Sequence, residues 1–410
     1  MNATIAQQAD ESWKNDPWLG VNPIDPTFKD DPYPFLARLR EHDPVNETPI
    51  GLYRLTRYDD VIRMLKEVPS GVRMADGSVF GGVNLTGGPS QFILRQDPPD
   101  HTRLRRLMNQ AFTPRAVQRM REHIDEIVDQ QLDHVADAGE MDVIADLALP
   151  VPSTVICEMM GVPLADRDKF TDWTAATTHL LAAALVPQET LERGILAAQA
   201  LRDYFTALIE ERRGHLGDDI LSGLIRAEEQ GDRLSSDELI SQSIGLLIAG
   251  FETTIGLIGN GVRALILNPD QLALLQKRPE LAGSAIEECL RYDGPIILTI
   301  RVTREDTSFG DRVIPRDRPV MCLLSGANRD PGHFQDPDRF DITREDNDHL
   351  AFGGGAHFCL GAHLARMEAQ AAISGLVRRF DDFEMASDRL AWGPSLFRVL
   401  GALPIRFSRR

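Results

Sequence analysis

Three consecutive glycines run into a cysteine in Phe352-Gly353-Gly354-Gly355-Ala356-His357-Phe358-Cys359-Leu360-Gly361, just ahead of a helical pattern. A thiolate at a helix start gains from the helix N-terminus and from nearby backbone N–H donors, which lower its pKa. The glycines let a flat object approach the backbone closely. One anionic sulfur facing a bulky cofactor is what thiolate ligation of a haem iron needs. Two other readings stand beside this one. The residue could be a buried helix-start cysteine, or a zinc ion could be held by His357, Cys359 and His363, although a fourth ligand at ordinary spacing is missing.

Further upstream, Glu288-Cys289-Leu290-Arg291 puts opposite charges at i and i+3, on one helix face. Most such pairs are solvated and contribute little. Ala249-Gly250-Phe251-Glu252-Thr253-Thr254 places hydroxyls in mid-helix, where they can bond backward to a carbonyl and open a local groove. The flanking Leu246, Leu247, Ile248, Ile255 and Ile258 argue against a solvent-facing Thr–Thr pair. His101 and Arg105 share a helix face at i and i+4, which reads either as a basic surface helix or as an anion site.

These residues sit on a mainly helical chain of 410 residues, 42% hydrophobic and 26% charged, the balance of a globular protein. The net charge of −18 argues against non-specific nucleic-acid binding and docking on anionic lipid. No uninterrupted run of roughly 18 apolar residues occurs, so no membrane span is expected. The start is polar and acidic, unlike a secretory signal. The four cysteines, at 157, 289, 322 and 359, show no paired spacing, and a reducing cytoplasm fits them. Residues 1–20 read as a loose tail and 21–410 as one domain. Helices are expected over 31–41 and 58–68, a strand over 50–56, and a long functional loop over 69–98. Ser235-x-x-Glu238 reads as a capping box opening a helix to about Leu267, roughly 48 Å long at 1.5 Å per residue. Gly245, Gly250, Gly256, Gly259 and Gly261 lie inside it, each costing about 1 kcal/mol relative to alanine. They imply close packing, or something bulky against the helix. Further helices are expected over 281–292 and 360–380, strands over 299–303, 312–314 and 320–323, an irregular stretch over 326–350, and a β end over 397–407.

Taken together, these motifs resemble the cytochrome P-450 family of haem-thiolate monooxygenases. Its haem-loop pattern F-x-x-G-x-[HR]-x-C-x-G is met at Phe352, Gly355, His357, Cys359 and Gly361, and E-x-x-R at Glu288 and Arg291. P-x-R-F is met at Pro337-Asp338-Arg339-Phe340, and [AG]-G-x-[DE]-T-[ST] at Ala249 to Thr254. The resemblance covers about residues 20–410. It implies the family's triangular helical domain, with haem b between the central helix and the helix after the cysteine loop. Cys359 would be the axial ligand to iron. Phe352, Gly353, His357, Gly361, Ala249 and Gly250 would contact haem, and His101, Arg105 and Arg301 would bind its propionates. Glu288, Arg291 and Arg339 would form a buried charge triad. Thr253 and Glu252 would deliver protons during oxygen activation, and electrons would come from reduced nicotinamide through a separate ferredoxin and its reductase.

The segments that line substrate pockets in this family offer Phe80, Val83, Leu85, Leu180, Leu181 and Ile248 here. Ile296, Ile297, Leu298 and Phe397 complete the set. Their aliphatic character favours a small lipophilic substrate, although the same residues could be plain core. Arg73 and Arg398 are candidates to hold a substrate carboxylate. Arg103, Arg106 and Arg366 could form a positive patch that steers an acidic ferredoxin. A monomer is expected. Two competing functions remain: a haem-thiolate protein that does not activate oxygen, against which Glu252 and Thr253 weigh, and a helical interaction protein without cofactor.

Overall fold

The capping box forms as the sequence dictates: Glu238 N–H donates to Ser235 Oγ at 3.2 Å, and Ser235 N–H donates to Glu238 Oε2 at 2.8 Å. The helix it opens runs Ser236–Leu267 and is the axle of the molecule. The computed structural model describes residues 20–80, 91–112, 117–183, 185–229, 234–387, 389–393 and 395–410. Val83, Leu85 and most of the expected tail lie outside these residues. Helices Pro150–Met159, Gln188–Arg212, Ala282–Asp293 and Ala362–Arg379 all pack on the central one. Its glycines are explained by these neighbours. A Cβ on Gly245 would stand 2.1 Å from the Phe92 ring, and one on Gly259 would stand 2.6 Å from Ile144. Close packing therefore accounts for them. Although polar residues interrupt its apolar runs, this helix is by length and composition able to cross a bilayer, but 83% of its most apolar 18-residue window is buried inside the fold.

The strands are β1 (Val45–Glu47), β2 (Tyr53–Leu55), β3 (Ser70–Gly71), β4 (Glu140–Asp142), β5 (Thr299–Thr303), β6 (Thr307–Phe309), β7 (Arg312–Ile314), β8 (Pro319–Cys322), β9 (Phe380–Met385) and β10 (Pro404–Arg409). They form a sheet ordered β1-β2-β8-β5-β3, a second ordered β4-β10-β9, and the β6–β7 hairpin. The expected β end at 397–407 is shorter, because Phe397 and Arg398 belong to a turn and only Pro404–Arg409 joins a sheet. Its partners β4 and β9 are too short or too acidic to announce themselves by periodicity.

One buried ion pair organises the route to the cysteine loop. Arg291 and Glu288 side chains are fully buried, and they pair bidentately, Nε to Oε2 and Nη2 to Oε1, both at 2.8 Å. The guanidinium also donates to the carbonyls of Asn328, Pro337 and Arg339 at 2.9, 2.8 and 3.1 Å. The carboxylate accepts further from Asp341 N–H at 2.9 Å, Asn347 Nδ2 at 3.1 Å and Arg344 Nε at 3.3 Å. The expected third member is corrected here. The Arg339 side chain is 62% exposed and faces Asp341, and only its carbonyl joins the cluster. Arg344, 11% exposed, supplies the second guanidinium. From this cluster, Leu350 N–H donates to Asn328 Oδ1 at 2.7 Å and Gly353 N–H donates to Leu350 O at 2.8 Å, which carries the constraint into the cysteine loop.

Removing one partner of a buried, fully bonded pair strands a charge, at a cost of about 3–5 kcal/mol. Glu288→Ala should lose about that much stability in denaturant titration. Arg339→Ala should stay within about 0.5 kcal/mol of the parent, as surface changes do, and Arg344→Ala should fall between them. Equal losses for Arg339→Ala and Arg344→Ala would contradict this assignment.

Candidate active site

The cysteine loop folds back on itself before its helix begins. Cys359 N–H donates to Phe352 O at 3.0 Å, and Phe358 N–H donates to Gly355 O at 3.1 Å. Gly353 and Gly355 take φ of +71° and +67°, the left-handed region that favours glycine. A Cβ on Gly355 would stand 2.0 Å from the Leu65 carbonyl oxygen, so the loop can lie on helix Tyr58–Lys66 only with glycine there. The following helix starts at Ala362, capped at Gly361, slightly later than expected. Burial pushes the Cys359 thiol up. The Gly361 backbone N–H and the charges of Arg105 and Arg366 pull the other way but do not prevail. The expected lowering therefore does not come from the protein alone. A bound cation is what deprotonates a coordinating thiol.

Basic side chains converge beside the loop. His101 is buried and its Nε2 has no partner, and His357 Nδ1 likewise has none. Their ring centroids are 4.2 Å apart. Arg301 is buried and donates only to neutral oxygens, Thr299 Oγ1 at 3.0 Å and Ile300 O at 2.9 Å. Arg105 Nη1 donates to Phe358 O at 2.8 Å. Burial, then Arg301 and His101, pushes His357 down to about 3. His101 is lowered by burial and by Arg105. Asp97 is the carboxylate that acts on both histidines, and it is engaged by Arg304 at 2.5 Å and by Val72 N–H at 2.8 Å. Two orphaned imidazole nitrogens and two guanidiniums bonded only to carbonyls and a hydroxyl make an anion cradle, and they fit the two carboxylates of a haem.

On the central helix, Thr253 Oγ1 donates back to Ala249 O at 2.8 Å and Thr254 Oγ1 to Gly250 O at 3.4 Å. A Cβ on Gly250 would lie 3.1 Å from Ile156 Cδ1, so this glycine also serves packing. Glu252 is buried with Oε2 unpartnered, and burial pushes it up to about 7 against hydrogen bonds from Ser395 and Thr178 and the charge of Lys29. Sequence reasoning missed this surround, since Lys29, Thr178 and Ser395 come from distant segments without a motif. It also missed Glu368, on the helix after the cysteine loop. Glu368 is fully buried, hydrogen-bonded with Thr254 and pushed up to about 8 by desolvation.

Several other expectations resolve differently. Arg398 is not available to a substrate carboxylate. It is buried and pairs with Asp293, while its Nε donates to Lys29 O at 2.7 Å. Arg73 donates to Arg95 O at 2.7 Å and Gly77 O at 2.9 Å. In the expected positive patch, Arg103 pairs with Glu238 and Asp100, and Arg366 pairs bidentately with Glu287 at 2.7 and 2.8 Å. Arg106 is exposed. Leu180 packs with Ala198 and Leu181, Ile248 lies in the main core, and Ile297 in a smaller one. Phe80 and Leu298 are half-buried against that smaller core, Ile296 against a third, and Phe397 against the main one. Among the described residues no group of three or more His, Cys, Asp or Glu side chains is arranged to hold a metal ion, which leaves the zinc reading without support.

Comparison with known proteins agrees with this geometry. Residues 56–280 and 271–390 match the family model described as Cytochrome P450. The chain belongs to the cytochrome P450 family. Over 402 residues it is 45% identical to Cytochrome P450 107B1 of Saccharopolyspora erythraea, covering 93% of this chain and 96% of the relative. The crystal structure of P450BioI in complex with hexadec-9Z-enoic acid ligated acyl carrier protein superposes with a TM-score of 0.86, at 38% identity, covering 93% of this chain and 100% of that one. That of myxobacterial CYP267B1 in complex with myristic acid gives 0.85, also at 38% identity, covering 94% and 99%. This P450 is therefore an oxidoreductase of the haem-thiolate monooxygenase class. That excludes the cofactor-free interaction protein.

The raised Glu368 carboxyl makes stability fall as pH rises. Its neutral form is favoured in the fold, so the folded state binds a proton that the unfolded chain releases above about 4.5. Stability should decline toward about pH 8, by at most roughly 1.4 kcal/mol per pH unit. Glu368→Gln, neutral throughout, should flatten that decline, so its Tm advantage over the parent should grow between pH 5 and 8. A constant Tm difference across that range would show that Glu368 titrates normally.

Proposed function

We propose that Cys359 ligates the iron of haem b and that His101, Arg105, Arg301 and His357 receive its propionates. The observation that carries this reading is the cradle of two orphaned imidazole nitrogens and two guanidiniums bonded to neutral oxygens beside a glycine-shaped cysteine loop. Phe352, Gly353, Gly361, Ala249 and Gly250 lie on the two segments that would face the macrocycle. Bound there, haem supplies the activation of O2 for insertion of one oxygen atom into a C–H bond.

The protein's own residues manage protons and shape around that chemistry. Insertion consumes two protons and two electrons per O2 and releases one water, whereas mistimed protonation releases hydrogen peroxide. The Thr253 hydroxyl, bonded back to Ala249, would order a water against the central helix. Glu252, poised near neutral pH, can both take and give a proton there as a positioned acid. The substrate is small and lipophilic. Long-chain acyl compounds are the first to test, since two structural neighbours were crystallised with them. Electrons come from reduced nicotinamide through an acidic ferredoxin and its reductase. Of the three arginines expected to steer that partner, the exposed Arg106 stays available, since Glu238 and Glu287 neutralise Arg103 and Arg366. The chain acts as a cytoplasmic monomer, one domain over residues 21–410.

Cys359→His should abolish the strongly red-shifted carbon monoxide band of the reduced protein together with oxygenase activity; persistence of both would remove Cys359 as ligand. Thr253→Ala should keep haem and consume nicotinamide while product falls by about 10²- to 10⁴-fold, the range for a positioned acid–base group. Peroxide should rise correspondingly. Product and peroxide per nicotinamide are the quantities to measure, and an unchanged ratio would make Thr253 a packing residue.

A further inference from the structure

The buried arginines of this fold are paired or hydrogen-bonded, with one exception. Arg40 pairs with Asp330, Arg291 with Glu288, Arg329 with Asp338 and Arg398 with Asp293. Arg54 donates to Asn46, and Arg301 to Thr299 and to the Ile300 carbonyl. Arg95 is the exception. It is 6% exposed, and among the described residues its guanidinium has no ion pair and no hydrogen bond. Burial, then the like charge of Arg73, pushes it down to about 10. A buried charge is costly unless it is paired and hydrogen-bonded. An anion that arrives as a ligand supplies both.

The place of Arg95 in the fold says which anion. It ends the short 3-10 turn Ile93–Arg95, and that turn is fixed to the central helix. Gln242, with no solvent exposure, donates from Nε2 to Gln91 O at 2.6 Å and accepts from Ile93 N–H at 3.1 Å. The Phe92 ring fills the notch that Gly245 leaves. Gly245 precedes Ala249 by one turn, about 6 Å along the helix axis. On the other side of Arg95, Asp97 O accepts from His101 N–H at 3.0 Å, where the cradle begins. Arg73 Nε donates to Arg95 O at 2.7 Å and steadies the backbone between the two. Arg95 therefore belongs to the short span of chain that joins the central helix, one turn from the Ala249–Thr254 motif, to the propionate cradle. A haem brings two carboxylates, and His101, Arg105, Arg301 and His357 already present four donor groups to them. Arg95 is surplus to that need, which leaves it for the carboxylate of another molecule.

We propose that Arg95 is a substrate-binding residue: its buried, unpartnered guanidinium, on the turn that joins the central helix to the propionate cradle, receives the carboxylate of a fatty-acid-type substrate. The inference rests on the reading of this site as a haem pocket with Cys359 as ligand, and it narrows the lipophilic substrate to one with an ionised head. A guanidinium meets a carboxylate as a planar fork, with two parallel N–H···O bonds, and it is more weakly hydrated than an ammonium. Both properties suit a site away from water. The acid brings the countercharge that Arg95 lacks, whereas an alcohol or ester of the same length brings none.

The test is equilibrium dialysis of the haem-loaded protein against saturated acids from octanoic to hexadecanoic, and against the alcohols of the same lengths. The parent should bind its preferred acid more tightly than the matching alcohol. Arg95→Gln should weaken the acid by about 10- to 100-fold, the range for a hydrogen bond to a charged group, and leave the alcohol where it was. Arg95→Lys, which keeps the charge but not the fork, should recover part of the loss. Arg95→Met carries the same expectation as Arg95→Gln should that variant load haem poorly. An acid that the parent binds no more tightly than its alcohol would overturn the proposal, as would equal weakening of acid and alcohol in Arg95→Gln. Haem-poor Arg95→Gln and Arg95→Met together would also overturn it, because Arg95 would then serve the cofactor or the fold. The carbon monoxide band of the reduced parent separates the proposal from the reading beneath it. A parent with the red-shifted band but without a preference for acids refutes Arg95 alone. A parent without the band refutes the haem-thiolate reading, even where the acid preference and its loss in Arg95→Gln are measured.

Discussion

The pairing of Glu288 with Arg291 is the constraint on which the cysteine loop depends. A fully buried ion pair is tolerable only if the remaining donors and acceptors of both groups are met, and here they are met by the irregular chain that follows. Three carbonyls from residues 328–339 receive the guanidinium, while a backbone N–H, an amide and a second guanidinium from 341–347 reach the carboxylate. A stretch without repeating secondary structure thereby acquires a single conformation. Asn328 passes it to Leu350, and Leu350 to Gly353. Beside this, Glu287, the neighbour of the buried acid, clamps Arg366 and His349, tying the cysteine-loop helix to the same scaffold. Arg366 lies over the Phe352 ring at 4.5 Å, which closes the circuit at the first residue of the loop.

Features that follow from local chemistry were legible in the sequence. The capping box at Ser235 and Glu238 fixed the start of the central helix to the residue, and the cysteine loop carried its glycines where the backbone must turn left-handed or touch Leu65. What failed was choice of partner across long separations. Arg339 occupies the motif position, but its side chain points outward, and Arg344, five residues on, takes the carboxylate; nothing in spacing distinguishes two arginines in an irregular segment. Arg398 read as a free cation because the acid that consumes it, Asp293, lies 105 residues away. The thiol of Cys359 read as acidified because the helix-terminus argument weighs dipoles and omits burial, which here is the larger effect.

Two buried carboxyls follow one another through the interior at neighbouring threonines: Glu252 precedes Thr253 in the chain, and Glu368 bonds Thr254. Both are pushed toward neutrality by desolvation, yet their surroundings differ. Glu252 has a cation and two hydroxyls, and Glu368 has one hydroxyl. The two stand on packed helices, so two protonatable carboxyls lie in one stretch of the interior.

The hydrogen bonds of Lys29 with Gly393, Ser395 and Arg398 have a consequence for how the molecule is made. They join residues 364 to 369 positions apart, nearly the full span of the chain. Lys29 gains its carbonyls, and Arg398 its place over Lys29 O, only when segments far apart in sequence have met. The central helix and the Glu288–Arg291 pair rest on contacts closer in sequence and can form before this closure does. Contacts of such separation are the slow ones to form, so the helical body precedes the closure of the N-terminal helix on the far end of the fold.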